Sequence, residues 1–357
     1  MRTRRPTLRD VAQYAGCSMT TTSNILQGRH ELYREETVQK VLVAAEQLGY
    51  RPNLLARGLA KQITHTIGLV LEPHHSRITR NDYALPILEG ATDFLTQQDY
   101  DIKIITLVNE QPKYLWSRIE SASLDGALLL APVMESPLLE WHKHLPIPAV
   151  SVGSTLPEEY GIPYVDIHNE RAMRMLVEWV LAQGHRKIGF VKGHPLHWSA
   201  HQRERAFRQA LADYGIHPRE EWIVQGNYTI ESGRRAAQQI LACGQIPTVV
   251  LCANDGSAVG FMQQLTELGV RVPDDISVAG FDDEPLFHPI APTLTTVYHD
   301  KVRVGYLASQ MLFQQIISET NSVASTLIDG SLTVRSSVAN LLGGQRRPNH
   351  SQMKEVQ

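Results

Sequence analysis

The spacing of apolar positions changes character along this 357-residue chain. Near the start, Leu8, Val11, Ala12 and Ala15 fall at i, i+3, i+4 and i+7, the single apolar stripe of a short helix from about Thr7 to Ala15. Thr7 and Asp10 have the spacing of a capping box, and Gly16 permits a sharp turn. Ser18 is a good cap for a second helix running to about Gln27. That helix turns Thr22, Ile25 and Leu26 inward and Met19, Thr20, Ser23, Asn24 and Gln27 outward. Thr22, set among apolar neighbours, needs a partner for its hydroxyl, and a carbonyl one turn back is the expected one. A third helix, about Glu35 to Leu48, buries Val38, Val41, Leu42, Ala45 and Leu48. Pro52 then breaks the pattern, and Asn53 can cap a short helix from Leu54 to about Ala60. Gly58 weakens that helix by roughly 1 kcal/mol relative to Ala.

From Thr66 short apolar runs alternate with amphipathic helical stretches, the pattern of a parallel α/β sheet. "HTIGLVLE", "IKIITLV", "DGALLLAP" and "IPAVSVG" read as buried strands, with the helix "ALPILEGATDFLTQQDYD" after the first. The scheme then restarts with "RKIGFVKG", the helix "QRERAFRQALADYG", and the strands "PTVVLCAND" and "DISVAGFDD". Ile67-Gly68-Leu69-Val70 and Ile188-Gly189-Phe190-Val191 open the two halves of this weak repeat. Two open sheets of this kind leave a cleft at the carboxyl ends of their strands. "PTLTTV", "KVRVGYLASQMLFQQI" and "GSLTVRSSVA" supply a late strand, a helix and a terminal strand. The tail beyond Leu342 is polar, is expected to be disordered, and lacks the leucine heptads of a coiled coil.

Charge separates these regions. Residues 1–62 carry ten Arg or Lys against five acids, so the head is net +5 and the remainder −8 of the overall −3. A basic head on an acidic body points to a polyanionic partner or to an ordinary solvated surface. No apolar run reaches the ~18 residues needed to span a bilayer. The basic first residues lack the apolar segment of a signal peptide. Three scattered cysteines (Cys17, Cys243, Cys252) form neither a disulfide framework nor a paired metal motif. The expected location is the cytoplasm, with no membrane partner.

Two helices joined by a glycine-containing turn inside a basic head suggest a helix-turn-helix, or a three-helix bundle without a ligand. The small polar face of the second helix favours the former. A helix seated in a major groove needs short side chains carrying donors, acceptors or methyl groups. No catalytic constellation is present: there is no phosphate-cradling glycine loop, no HExxH and no GxSxG. His194, His197 and His201 read as loop or pocket residues rather than metal ligands, because Pro195 interrupts them.

"TLRDVAQYAGCSMTTTSNIL", "EETVQKVLVAAEQLGYRPNLLARGLA" and "THTIGLV" together closely resemble the lac repressor/galactose repressor family of bacterial regulators. The resemblance runs to about Val338. It implies an all-α helix-turn-helix head over residues 1–50, and a hinge helix and linker over 51–64. The core, 65–342, is then α/β and periplasmic-binding-protein-like, with two doubly wound parallel-sheet subdomains. These divide at about 65–163 with 294–328, and 164–293 with 329–342, and residues 343–357 form the tail. Chain crossings fall near 163, 293 and 328.

By the same resemblance Met19, Thr20 and Asn24 face base edges, and Leu59 of the hinge wedges between base pairs over the minor groove, the alternative being a loop residue that touches the core domain. Thr7, Ser18, Thr21, Ser23, Thr37 and Asn53 lie nearer the DNA backbone. Where the family commonly has Arg, this chain has Asn24, which suits adenine rather than guanine. Arg34 replaces a capping Ser, Cys17 a Val, and Thr22 a buried Val. Arg203, Asn254, Asp255 and Asp282 match positions that bind an effector or brace those that do. Tyr228 matches an aromatic that stacks on the effector, and Tyr83 lines the opposite wall. A structural role, capping the following turn, is the alternative to ligand contact for both Asp255 and Asp282. Gly153 replaces a usual charged residue, which removes an anchor and is expected to enlarge the pocket. His74, His75, Arg77, Arg80 and His197 favour an acidic sugar.

The expected partners are palindromic double-stranded operator DNA, a sugar or sugar acid, and a second copy of the chain in a homodimer. No catalytic residue, cofactor or metal is expected. A receptor or enzyme with the same body and a vestigial head is the competing reading; turnover of a small substrate would separate the two.

Overall fold

The computed structural model describes residues 6–50, 63–72, 83–107, 112–141, 147–290, 292–318 and 323–342. The hinge residues Asn53 and Leu59, the loop carrying His74, His75, Arg77 and Arg80, and the tail 343–357 lie outside them. The chain divides into two compact units, residues 1–65 and 66–357.

In the first unit, α1 (Leu8–Ala15), α2 (Met19–Leu26) and α3 (Glu35–Gln47) form the expected bundle. The capping box is complete: Asp10 Oδ2 accepts from the Thr7 N–H at 2.7 Å, and Thr7 Oγ1 accepts from the Asp10 N–H at 3.4 Å. Gly16 takes the left-handed conformation (φ 65°, ψ 30°) that closes α1. Arg34 precedes α3 without a side-chain cap, as its lack of a short acceptor dictates. Val11, Ala44 and Ala45 form one buried cluster, and Ile25, Val38 and Val41 another. Thr22 is fully buried, but among the described residues its hydroxyl has no hydrogen-bond partner. The expected bond to a carbonyl one turn back is not made.

The second unit begins with β1 (Thr66–Leu71), α4 (Ala84–Thr96), β2 (Asp101–Thr106), α5 (Pro112–Glu120) and β3 (Gly126–Leu130). α6 (Pro137–Trp141), β4 (Ala149–Val152) and β5 (Tyr164–Ile167) follow. These strands and β11 (Thr326–Ile328) make a parallel sheet ordered β11-β5-β4-β3-β1-β2. Its inner strands β1, β3 and β4 are largely buried because both faces are covered, whereas the edge strand β2 carries exposed Asp101 and Lys103. Ile67, Leu69 and Leu71 enter one core cluster while Val70 enters the other, the alternation a pleated strand imposes.

The second half runs α7 (Asn169–Ala182), β6 (Ile188–Val191), α8 (Trp198–Asp213), β7 (Ile223–Val224), α9 (Ile230–Leu241), β8 (Val249–Cys252), α10 (Asp255–Glu267) and β9 (Ser277–Ala279). Its parallel sheet is ordered β7-β6-β8-β9. β10 (Thr296–Tyr298) pairs antiparallel with β12 (Ser331–Thr333). α11 (Lys301–Ser318) returns to pack on the first sheet through Val304, Ala308 and Leu312.

Two differences from the expected layout emerge. β5 hydrogen-bonds within the first sheet, so the first crossing follows Ile167 rather than 163. α8 starts at Trp198, four residues before the expected Gln202, so His201 is helical. Glycine sets the closest helix packing in both halves. A Cβ at Gly90 would strike the Val302 carbonyl of α11, and one at Gly260 the Ile230 carbonyl of α9.

Candidate functional site

Two groups of side chains stand out, one in each unit. In the head, Ser18 Oγ accepts the Thr21 N–H at 3.0 Å and lies 2.9 Å from Thr21 Oγ1, which anchors the start of α2. Met19, 51% exposed, and Thr20 stand on the open side of that helix. Ser23, Asn24 and Gln27 are half-buried along the same side, with Gln27 Nε2 donating to Ser23 Oγ at 2.9 Å. Thr7 caps α1, Ser18 caps α2, and Thr37 lies in the first turn of α3. Helix N-termini present unpaired N–H groups and a positive dipole end, which suits phosphate oxygens.

In the body, the site is built where the chain crosses between the two sheets. Arg203, from α8, is buried. Its guanidinium lies 3.7 Å from the centroid of the Phe281 ring. Arg203 Nε donates to Asn169 Oδ1 at 2.8 Å, and Nη1 donates to the Ala253 carbonyl and faces Asp282 Oδ1 at 3.7 Å. Asp282 Oδ1 also faces His299 Nε2 at 3.1 Å. Burial alone would push the Asp282 carboxyl up, but the His299 hydrogen bond and the charges of Arg203 and Lys301 outweigh it and hold the group below its usual range. Burial lowers the His299 imidazole, against the pull of Asp282. A neutral His299 that donates from Nε2 leaves Nδ1 as an acceptor. Among the described residues that Nδ1 has no partner, and neither Arg203 Nη2 nor Asp282 Oδ2 is engaged by a protein group.

Aromatic rings flank this set. Tyr83, at the start of α4, lies 6.1 Å from His299, ring centroid to centroid. Tyr228 meets His197 edge-on at 5.8 Å, and its hydroxyl lies 3.0 Å from Ser199 Oγ. Both Tyr228 (φ 69°) and Asp282 (φ 113°) hold backbone conformations that non-glycine residues rarely adopt. Bonds fix them there: Asp282 N–H donates to the Val297 carbonyl at 2.8 Å, and Asn254 Nδ2 to the Tyr228 carbonyl at 2.9 Å. Asn254 Oδ1 meanwhile caps α10 through the Ser257 N–H at 2.9 Å.

Asp255 has both oxygens engaged, one by Thr296 Oγ1 at 2.6 Å and the other by the Glu284 N–H at 2.7 Å. Burial pushes its carboxyl up to about 8. It braces the turn that carries Asp282. Gly153 does not open space: a Cβ there would lie 2.7 Å from Tyr83 Cε1, so the Tyr83 ring fills the volume a side chain would take. The expected enlargement of the pocket is thus corrected.

Three residues were missed by the sequence reading. His299 hid in an ordinary strand end, "TVYHD". Asp166, pushed up to about 6 by burial, accepts from Ile167 N–H, Thr155 Oγ1 and Asn169 Nδ2, and so ties the first crossing to Arg203 through Asn169. Trp198 packs against the apolar cluster of the first sheet although it opens α8. Its indole N–H is buried without a partner among the described residues. His194 and His197 lie 5.3 Å apart, ring to ring. No group of three potential metal ligands occurs among the described residues, and no described helix is long and apolar enough to cross a membrane.

Comparison with known proteins matches residues 7–53 to the model for bacterial regulatory proteins of the lacI family, and residues 177–338 to a periplasmic binding protein-like domain. The repressor PurR of Erwinia tasmaniensis is 32% identical, the match covering 93% of this chain and 97% of that one. Catabolite control protein A of Priestia megaterium is 30% identical, covering 88% and 93%. Among solved structures, the lac repressor dimer bound to operator and the anti-inducer ONPF superposes with a TM-score of 0.83 at 25% identity, covering 94% of this chain and 100% of that chain. A complex of the transcriptional regulator CelR with cellobiose gives 0.73 at 27% identity, covering 93% and 100%.

Proposed function

The chain belongs to the lacI family of bacterial regulatory proteins, and on that premise we propose that it is a dimeric repressor of a carbohydrate or sugar-acid utilisation operon. Membership makes it a DNA-binding transcriptional regulator rather than an enzyme. The head reads paired half-sites of a palindromic operator in the cytoplasm. Met19, Thr20 and Asn24 meet base edges, and Thr7, Ser18, Thr21, Ser23 and Thr37 meet phosphate and sugar.

The observation that carries the effector class is the set of unengaged atoms at the crossing. Arg203 Nη2 is a donor, and Asp282 Oδ2 and His299 Nδ1 are acceptors. A polyol hydroxyl gives one hydrogen bond and takes others, so it satisfies such a mixed set, while Tyr228 and Tyr83 cover the apolar ring face. Asn254 and Asp255 hold this geometry from behind. The cellobiose bound to CelR and the ONPF bound to the lac repressor are ligands of those structural neighbours. A planar nitrogen base is the second reading, favoured by the flat face of Tyr228 braced edge-on by His197.

Arg203, Asn169 and Asp166 join the second half of the body to the first crossing, and Asp282, His299 and Lys301 join it to the next. An effector that engages Arg203 and Asp282 therefore biases the relation between the halves. A coupling of roughly 1–3 kcal/mol between effector and operator suffices for a usable switch.

A thermal-shift and calorimetric panel of sugars, sugar acids and purine bases tests the class. A sugar or sugar acid is expected to raise the melting temperature in proportion to RT ln(1 + [L]/Kd). Stabilisation by a base alone would overturn the carbohydrate reading. Duplex binding is expected to weaken steeply with salt, by about 0.9 in log–log slope per neutralised phosphate. A flat response would count against phosphate contact.

A further inference from the structure

Tyr33 follows the short turn His30–Leu32 and received no role from the sequence. Its hydroxyl accepts a hydrogen bond from Asn24 Nδ2 at 2.7 Å, the one side-chain bond that Asn24 makes among the described residues. The phenol oxygen is not on a loose arm. The Tyr33 ring packs against the Ile25, Val38 and Val41 cluster, so the core of the head sets its position. The Asn24 backbone is fixed as well: its carbonyl accepts the N–H groups of Gln27 and Arg29, each at 3.1 Å.

A carboxamide has two N–H donors and a carbonyl with two lone pairs. Tyr33 takes one N–H. The second N–H and Oδ1 have no protein partner among the described residues, and a donor beside an acceptor is what adenine requires at N7 and N6 in the major groove. We propose that Tyr33 is a positioning residue for sequence recognition. It holds the Asn24 amide in place before DNA arrives, so that Asn24 selects adenine at one position of each half-site. A pre-set amide loses less rotamer freedom on contact, and a wrong base meets groups that cannot swing away to compensate. The inference rests on the DNA-binding reading above and deepens it.

The test uses the full-length protein. Selection from random duplexes defines the bound sequence. Affinities are then measured for duplexes carrying each base pair at every half-site position, with the parent, Asn24→Ala, Tyr33→Phe and the double variant. The parent is expected to prefer A·T at one position by roughly 5- to 150-fold, and Asn24→Ala to abolish that preference. Tyr33→Phe is expected to reduce it by about 2- to 10-fold. Affinity for random duplex and amide-exchange protection of the head should stay at parental values, a separation that a merely structural role for Tyr33 would not produce. In the Asn24→Ala background, Tyr33→Phe should change nothing further. Parental preference in Tyr33→Phe, or preference retained at every position in Asn24→Ala, overturns the role of Tyr33 while leaving the regulator intact. A parent that binds no duplex selectively overturns both.

Discussion

Replacing Thr22 by Val should stabilise the head. Thr22 is 0% exposed and its hydroxyl has no partner among the described residues. A buried polar group left unsatisfied costs about 1–3 kcal/mol. Valine has nearly the same shape and the same branching at Cβ, so it fills the site with a methyl group in place of the hydroxyl and leaves the helix propensity of α2 almost unchanged. We take about 1–2 kcal/mol as the expected gain, the lower part of that range, because the unfolded chain hydrates the hydroxyl only partially. Amide exchange of the Val38–Ala45 segment in the full-length protein reads the head's stability without interference from the body. In the regime where exchange follows the opening equilibrium, that gain slows exchange by roughly 5- to 30-fold. Thr22→Ser, which keeps the hydroxyl and deletes the methyl group, should speed it instead. Equal or faster exchange in Thr22→Val would mean that the hydroxyl is satisfied in solution, and the reasoning from an orphaned group would fail.

Gly153→Ala places a Cβ against Tyr83 at a residue with φ of +74°, and the left-handed conformation alone costs an alanine about 1–2 kcal/mol. Melting of Gly153→Ala, Tyr83→Ala and the double variant should show coupling of at least about 0.5 kcal/mol, and strictly additive losses would deny the contact. Arg203→Lys keeps the charge but cannot reproduce bonds to Asn169 and the Ala253 carbonyl together; calorimetry should find effector affinity about 10- to 150-fold weaker, and parental affinity would remove Arg203 from the site. Asp255 sits at about 8 in the folded body against about 3.9 in an unfolded chain. The folded state therefore binds the extra proton between those values, and stability falls as pH rises through that window, by at most about 1.4 kcal/mol per pH unit. Denaturant midpoints of Asp255→Asn should decline less between pH 6 and 8 than those of the parent, and parallel curves would contradict the assignment.

The sequence by itself determined the three head helices and the main buried strands of the body, because helix periodicity, strand runs and caps are local, while helices such as α7, α9 and α10 emerged only in the fold. Leu8, Val11, Ala12 and Ala15 declare α1, Ser18 declares the start of α2, and the repeated opening of β1 and β6 marks two sheets. The long match across head and hinge fixed the family in the same way. Tertiary structure alone decided what meets what. Tyr83 fills the space beside Gly153, His299 reaches Asp282, Tyr33 reaches Asn24, and Thr22 finds nothing. Such pairs are set by crossings, turns and close packing between different elements, and no local pattern encodes them. A buried group's partner, its pKa and its free lone pairs depend on that packing, so the chemistry of the site became legible only once the chain was folded.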